Sequence, residues 1–334
     1  MELFDSAMVA SDPPNHTRLR SLANKACTPR VIENMQAHIQ EIVDRSLDDV
    51  QISGNMDLIS DLAYPLPGTV ICEMLGVPVE DRGQFKKWTD DLAAFRGGLG
   101  NLEEHAEAAR SSVLAMIDYL KTVLKECREN PRDNLISALA AAEQQGDAFS
   151  EMELFSMFVF LQFAGHETTT NLIGNGILAL LQNPEQLQKL RDDPSLIENG
   201  IEEFLRYHSP VQSLVRTALE NLEIGGTPIL KGQVVRIYLG AANRDPAQFS
   251  DPDRLDIARE GTRHVGFGFG IHFCLGAALA RWEGKAAIGT VIRRLPELRL
   301  EPPMSEWRLE DFQWSENPVF HGLTSLPVVF KPIQ

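Results

Sequence analysis

The sequence predicts a mainly helical protein with small β-sheets, and three features support that prediction. Apolar side chains recur at helical spacing through most of the first 128 residues. The stretch from Ser150 to Gln182 contains no proline and is long enough for one helix of about 50 Å. Residues 209–240 show the alternation that is typical of short strands. No linker-like tract divides the chain, so we predict a single domain over residues 1–334.

The helices can be placed in chain order. Two consecutive prolines precede a helix that carries His16 and Arg20 on one face. Further helices are expected over residues 31–51, 56–76, 81–96 and 102–128. The glycine-rich break at residues 96–101 is either the hinge of a lid or an ordinary surface loop. Ser150 and Glu153 form a capping box at the start of the long helix.

The second half of the chain adds strands and one more helix. Strands are expected at residues 211–216, 222–224 and 234–239, with a turn at Gly225-Gly226. A helix follows from Ala277 to Arg294. Near the C-terminus, residues 317–322 and 326–328 predict a hairpin.

Composition excludes several classes of protein. The formal net charge of −16 argues against a nucleic-acid partner or an anionic membrane, because both require basic surface. The four cysteines lie far apart without a CxxC motif, which indicates free thiols in a reducing compartment. No apolar run reaches the length of a membrane span, and no secretory signal opens the chain. We therefore expect a cytoplasmic protein.

The glycine-rich, aromatic stretch at residues 267–276 carries the strongest functional signal. Cys274 stands just before a helix, where unpaired backbone N–H groups and the helix dipole are expected to lower the pKa of its thiol. Gly268 permits a sharp turn, and Gly276 leaves room for a flat ligand. Such a loop suits axial ligation of haem iron. A buried structural cysteine is the alternative, whereas zinc would need more ligands than His264 and His272 add.

Three further patterns are ambiguous on their residues alone. Small and polar residues from Ala164 to Asn171 interrupt the long apolar helix, either as a kink for close packing or as a pocket for dioxygen and protons. His16 and Arg20 could hold an anion or form a solvated basic face. Glu203 and Arg206 are spaced to pair on a helix, but the same spacing recurs elsewhere in the chain.

From residue 11 onward the chain resembles the cytochrome P-450 family, in its bacterial form. Phe267, Gly270, Cys274 and Gly276 match the spacing of the family's haem-binding loop. The segment from Ala164 to Thr168 matches the family's oxygen-activation segment. Family members usually carry further helices and strands ahead of the part that Ser11–Arg20 matches, so we expect an N-terminally short form.

The resemblance implies a role for each matched residue. Cys274 would bind the iron, Thr168 would contact dioxygen, and Glu167 would take part in proton delivery. The implied cofactor-binding residues are His16, Arg20, Ala164, Gly165, Arg216, Phe267, Gly268, His272, Cys274 and Gly276. Glu203, Arg206 and Arg254 would form a structural network. The implied substrate pocket contains Phe163, Val211, Leu214 and Phe320.

The resemblance also implies an activity. Haem b would lie between the long helix and the helix after Cys274, and one oxygen atom of O2 would enter a small apolar organic substrate by hydroxylation or epoxidation. Electrons would come from NAD(P)H only indirectly, through a ferredoxin or flavodoxin with its reductase, and Arg281 and Lys285 are candidates for the docking face. The alternatives are a peroxide-using or isomerising haem-thiolate enzyme and a non-catalytic haem- or ligand-binding form.

Overall fold

The computed structural model describes residues 6–26, 28–97, 102–130, 136–137, 149–302, 307 and 311–332. Its helices are α1 (Asn15–Ala26), α2 (Pro29–Val50), α3 (Pro65–Met74), α4 (Arg82–Gly97), α5 (Leu102–Glu129), α6 (Glu151–Gln182), α7 (Pro184–Asp192), α8 (Ile197–Tyr207), α9 (Leu239–Ala242) and α10 (Ala277–Arg294). Its strands are β1 (Asn55–Asp57), β2 (Ser213–Thr217), β3 (Leu222–Ile224), β4 (Thr227–Ile229), β5 (Val234–Tyr238), β6 (Arg299–Leu300) and β7 (Pro327–Val329). The mainly helical fold class is confirmed.

Helix α6 is the element around which the other helices pack. Its capping box is confirmed, because the Ser150 hydroxyl accepts from the Glu153 N–H and the Glu153 carboxylate accepts from the Ser150 N–H. Glu153 also pairs with Arg18 of α1, which ties α1 to the start of α6. Most of α6 is buried, and it packs against α3, α5, α8 and α10. Helix α6 thus contributes to both hydrophobic clusters of the described chain.

The strands form three small antiparallel sheets, and they correct two predictions. A helix was expected to begin at residue 56, but residues 56 and 57 belong to β1, which pairs with β7 in the order β1-β7-β6. A π-helical turn at Ile59–Ala63 then leads into α3 at Pro65. The predicted C-terminal hairpin is wrong, because β7 pairs with β1 and β6 whereas Phe320 pairs with Val211. The predicted strands β2, β3 and β5 are confirmed, with β2 paired to β5 and β3 to β4.

The helices on either side of the predicted lid hinge are confirmed as α4 and α5, which pack against each other. Arg96 and Gly97 of the predicted hinge still belong to α4, and the rest of it, residues 98–101, lies outside the described residues. Within the described ranges, no helix combines the length and the apolar character that crossing a bilayer would require.

Candidate active site

The cysteine loop is a tight, internally hydrogen-bonded turn that ends at the start of α10. The backbone N–H of Cys274 donates to the Phe267 carbonyl at 2.9 Å, which closes the loop. Gly268 and Gly270 adopt φ angles of +73° and +75°, a region that side chains disfavour, so both glycines are required by the turn. Gly276 is the N-cap residue of α10, and no described residue beyond its two chain neighbours lies within 4 Å of a Cβ built there.

The charge state of Cys274 differs from the expectation. Burial raises the pKa of its thiol and outweighs the opposing effects of the Gly276 N–H and of the positive charges of Arg20 and Arg281. The predicted lowering by the helix start is therefore wrong for the protein chain by itself, because desolvation of the thiolate is the larger effect. A metal cation bound to the sulfur reverses this balance, since it favours the thiolate directly.

Basic side chains from three elements converge beside the cysteine loop. The rings of His16 on α1 and His272 lie 4.3 Å apart, centroid to centroid. Arg20 donates from Nη1 to the Phe273 carbonyl at 2.7 Å. Burial lowers the pKa of His272, His16, Arg216 and Arg20 lower it further, and the charge of Asp12 opposes them. The buried Nε2 of His16 has no hydrogen-bond partner among the described residues. This positive, partly unsatisfied cluster fits an anionic ligand such as a carboxylate.

An ion-pair clamp that sequence reasoning missed joins α8 to the base of the cysteine loop. Glu202 accepts from Arg281 at 2.6 and 2.9 Å and contacts His264 at 3.0 Å. Burial raises the pKa of Glu202, but its bonds to Arg281 and His264 bring that pKa down to about 2. The Arg281 guanidinium also lies 4.6 Å from the centre of the Phe267 ring. Glu202 directly precedes Glu203, which was predicted. Its contact with Arg281 joins two separate helices, so no sequence spacing could have predicted it.

The same pairing bears on the suggested docking face. Arg281 and Lys285 each form an ion pair with a carboxylate of α8, Glu202 and Glu198 respectively. Their charges are therefore largely neutralised within the chain, which weakens the argument for a partner there.

The predicted buried network is present, with one member corrected. Glu203 and Arg206 are fully buried and pair at 2.7 Å. The third member is Arg259, whose Nε lies 3.2 Å from both carboxylate oxygens of Glu203. Arg254 was expected there, but its side chain is 65% exposed and pairs with Asp256. The turn at Arg254 directs its side chain to solvent, and only its carbonyl accepts from Arg206.

This network reaches the cysteine loop through an asparagine. Arg206 donates to the Asn243 carbonyl at 3.0 Å. The Asn243 side chain in turn accepts from the Val265 N–H at 2.8 Å, at the entrance to the loop. Its amide nitrogen donates to the Ser209 hydroxyl at 2.7 Å, so the side chain is held at both ends.

Helix α6 places the acid and the alcohol side by side. The Thr168 hydroxyl donates to the Ala164 carbonyl at 2.9 Å, one turn back. Burial raises the pKa of Glu167, whereas a hydrogen bond from Asn171 opposes that rise. Gly165 has a packing role as well, because a Cβ there would lie 3.1 Å from Cδ1 of Ile71 on α3. The helix stays α-helical through this segment.

Three of the four predicted pocket residues come together. Phe163 and Phe320 are buried, with ring centroids 5.5 Å apart in an edge-to-face arrangement. Val211 pairs with Phe320 through the backbone. Leu214 lies further along, on β2 opposite Ile237, and is half-buried.

Glu283 is a buried acidic residue that sequence reasoning also missed. Glu283 on α10 is 1% exposed, and its Oε1 has no partner among the described residues. Burial raises its pKa to about 8, opposed by a hydrogen bond from Thr169 of α6. Its position four residues after Leu279, on the apolar face of α10, was the signal available in the sequence.

Comparison with known proteins agrees with this arrangement. The sequence model of the family described as Cytochrome P450 matches residues 4–311. Cytochrome P450 CYP107DY1 of Priestia megaterium is 47% identical over 326 residues, which are 97% of this chain and 76% of that protein. Cytochrome P450 monooxygenase PikC of Streptomyces venezuelae is 40% identical, over 97% of this chain and 76% of that protein.

A solved structure gives the same answer for the fold. The crystal structure of P450BioI in complex with hexadec-9Z-enoic acid ligated acyl carrier protein superimposes with a TM-score of 0.91 at 41% identity. The superposition covers 98% of this chain and 83% of that one. The chain thus shares its fold with a P450 of known structure. The chain belongs to the cytochrome P450 family.

Membership fixes the general chemistry. The chain is a monooxygenase, an oxidoreductase that uses O2, and the family implies haem iron as its cofactor and an apolar substrate. The residues present fit haem, because the half-buried sulfur of Cys274 lies beside a cluster of basic groups with an unsatisfied buried nitrogen on His16.

Proposed function

We propose that Cys274 binds the iron of haem b and that His16, Arg20, Arg216 and His272 bind its propionates. The observation that carries this proposal is the convergence of four basic side chains from three elements beside one half-buried sulfur. Carboxylates placed among these groups would gain charge-assisted hydrogen bonds. The Gly276 N–H donates to the sulfur and would tune the metal as an outer-shell contact does.

Glu167 and Thr168 are proposed as the groups that hold and pass protons. Haem with a thiolate ligand supplies the activation of O2. Burial raises the pKa of Glu167, which moves it toward the range in which a carboxyl can both hold and release a proton. The Thr168 hydroxyl next to it can donate to an oxygen atom after leaving the Ala164 carbonyl. One oxygen atom of O2 then enters the substrate and the other leaves as water, with two electrons and two protons consumed.

The substrate and the electron source follow from the same reasoning. Phe163, Val211 and Phe320 form an apolar, aromatic wall, which supports a small apolar organic substrate. The sequence contains no G-x-G-x-x-G dinucleotide fingerprint, which supports delivery of NAD(P)H electrons by a separate ferredoxin or flavodoxin and its reductase.

We also propose one haem-thiolate domain over residues 1–334, since α6 packs into both hydrophobic clusters. The free thiols of Cys72, Cys127 and Cys274 support a cytoplasmic location.

The first test is the spectrum of the reduced, carbon-monoxide-bound protein. Thiolate ligation predicts a strongly red-shifted Soret band that Cys274→Ala abolishes. Cys127→Ala is the matched control, because Cys127 is another free cysteine but lies on α5, so its replacement should leave the band in place. A histidine-type band in the unmodified protein would contradict the proposal.

The second test separates the proposed activity from its alternatives. Product should require NAD(P)H, a redox partner and O2, and Glu167→Gln should lower the product formed per NAD(P)H consumed. Turnover with peroxide alone at the same efficiency would indicate the peroxide-using enzyme. Haem binding without turnover under either condition would indicate a binding protein.

A further inference from the structure

One face of α6 lies along the C-terminal segment at residues 319–322. Phe163, Glu167, Asn171 and Asn175 recur every four residues and so share this face. Phe163 contacts the ring of Phe320. The Asn175 amide donates to the His321 carbonyl at 2.8 Å. The segment therefore touches α6 both before and after the acid at 167.

Between those two contacts, Asn171 lies directly against Gly322. A Cβ built at Gly322 would lie 1.8 Å from Oδ1 and 2.2 Å from Cγ of Asn171. Asn171 is 3% exposed, so its short side chain has little room to move aside. The Gly322 backbone is itself held, because its carbonyl accepts from the Ser315 N–H at 2.8 Å. Only glycine leaves space for the amide in this position.

The side-chain amide of Asn171, packed against Gly322, faces the carboxyl group of Glu167. Asn171 Nδ2 donates to Oε1 of Glu167 at 3.4 Å, the long end of the hydrogen-bond range. This bond lowers the pKa of Glu167 against the effect of burial. The charged groups that also act on Glu167 come from α4, where Asp90 raises its pKa and Lys86 lowers it. Asn171 thus provides the directional contact, and α4 provides the longer-range charge.

We propose that Asn171, seated on Gly322, is a positioning residue that orients the Glu167 carboxyl for proton delivery. The C-terminal segment thereby connects the pocket wall at Phe320 to the acid one helical turn beyond Phe163. This inference rests on the proposed role of Glu167. Its tests include two readouts that do not depend on that role.

The first readout is stability, measured as a double-mutant cycle by denaturant unfolding of the holoprotein. Gly322→Ala should lower the unfolding midpoint in the unmodified protein, because the new methyl group displaces the amide. In the Asn171→Ala background the same change should have little effect, since the clashing atoms are gone. Gly83→Ala is the control, because nothing lies within 4 Å of a Cβ there. An equal loss of stability from Gly322→Ala in both backgrounds would contradict the proposed packing of Asn171 against Gly322.

The second readout is an infrared pH titration of the protonated carboxyl band that disappears in Glu167→Gln. Loss of the amide donor in Asn171→Ala, or its displacement in Gly322→Ala, should move the titration of this band to higher pH. The band should be unchanged in Gly83→Ala. An unchanged titration in Asn171→Ala would overturn the positioning role whatever the enzyme's activity.

The third readout is coupling, the product formed per NAD(P)H consumed. Asn171→Ala and Gly322→Ala should each lower it by about 3- to 10-fold, less than the full contribution of a general acid. Peroxide-driven turnover and the carbon-monoxide spectrum should be retained. If Glu167→Gln itself leaves coupling unchanged, the proposed role of Glu167 fails, and the first two readouts still decide whether Asn171 sits on Gly322 and contacts Glu167.

Discussion

At the scale of single residues, the arginines around Glu203 show what spacing can and cannot predict. Glu203 and Arg206 lie three apart on one helix, so their contact follows from helical geometry alone. The third arginine comes from an irregular segment, where the direction of a side chain depends on turns that leave no periodic signal. Arg254 and Arg259 both occur there, and only the structure distinguishes them.

This distinction gives a residue-scale prediction. Arg259→Ala should lower the free energy of unfolding by about 2–3 kcal/mol, because it removes one partner of a fully buried carboxylate while Arg206 remains. Arg254→Ala should cost less than about 1 kcal/mol, since that side chain is largely exposed. Urea unfolding of both variants checks the prediction. Equal costs would contradict the assignment of Arg259.

Cys274 and Glu283 mark a second limit of residue patterns. The sequence places Cys274 before a helix, which correctly locates the thiol but leaves out how deeply it is buried. Burial depends on packing by distant segments, and here it reverses the expected direction of the pKa shift. Glu283 was overlooked for the same reason, because its environment is formed by α6 as well as its own helix.

At the scale of elements, structure that depends on neighbouring residues was predictable from the sequence, whereas structure that depends on distant residues was not. The helices were predictable because their stripes and caps lie within one stretch of chain, as at Ser150 and Glu153. Strand β1 is three residues long and exists because β7, far away in sequence, pairs with it. The C-terminal segment likewise pairs with Val211 rather than with its own neighbour. Pairing partners of this kind cannot be read from short patterns.

The contact between α8 and α10 gives an element-scale prediction. Glu202→Gln should lower the free energy of unfolding at pH 7 by about 2–3 kcal/mol, because a half-buried carboxylate that pairs with Arg281 and contacts His264 is lost. Its pKa is lowered to about 2, so this stability is present above pH 4.5 and is lost as the pH falls toward 2. Since the clamp holds Arg281 against Phe267, haem should also dissociate faster from the variant.

The neighbouring ion pair is the matched control for that prediction. Glu198 pairs with Lys285 between the same two helices, but its side chain is 73% exposed. Glu198→Gln should therefore change stability by less than about 1 kcal/mol and leave the rate of haem loss unchanged. The clamp would have no special role if the two variants behaved alike.

At the scale of the whole molecule, buried titratable groups set how stability depends on pH. Burial lowers the pKa of His208 to about 3 and that of His166 to about 4. Both bind protons more readily when unfolded, so they destabilise the fold as the pH falls below about 6.5. Burial raises the pKa of Glu283 to about 8. The folded protein therefore loses stability as the pH rises from 4.5 to 8, because the unfolded carboxyl ionises first.

Together these groups predict a maximum of stability near pH 6.5, and each of them contributes up to about 1.4 kcal/mol per pH unit within its own titration range. On the acid side, His16, His272 and His321 also have lowered pKa values and add to the loss, and on the alkaline side Glu167, whose pKa is raised, adds to Glu283. Glu283→Gln should make the alkaline side less steep, and His208→Asn should make the acid side less steep, whatever either change does to stability at the maximum. Urea unfolding from pH 5 to pH 8 measures both slopes. Because the other groups are the same in every variant, their contribution cancels from each difference, and an alkaline slope that Glu283→Gln leaves unchanged would place the responsible proton on another group.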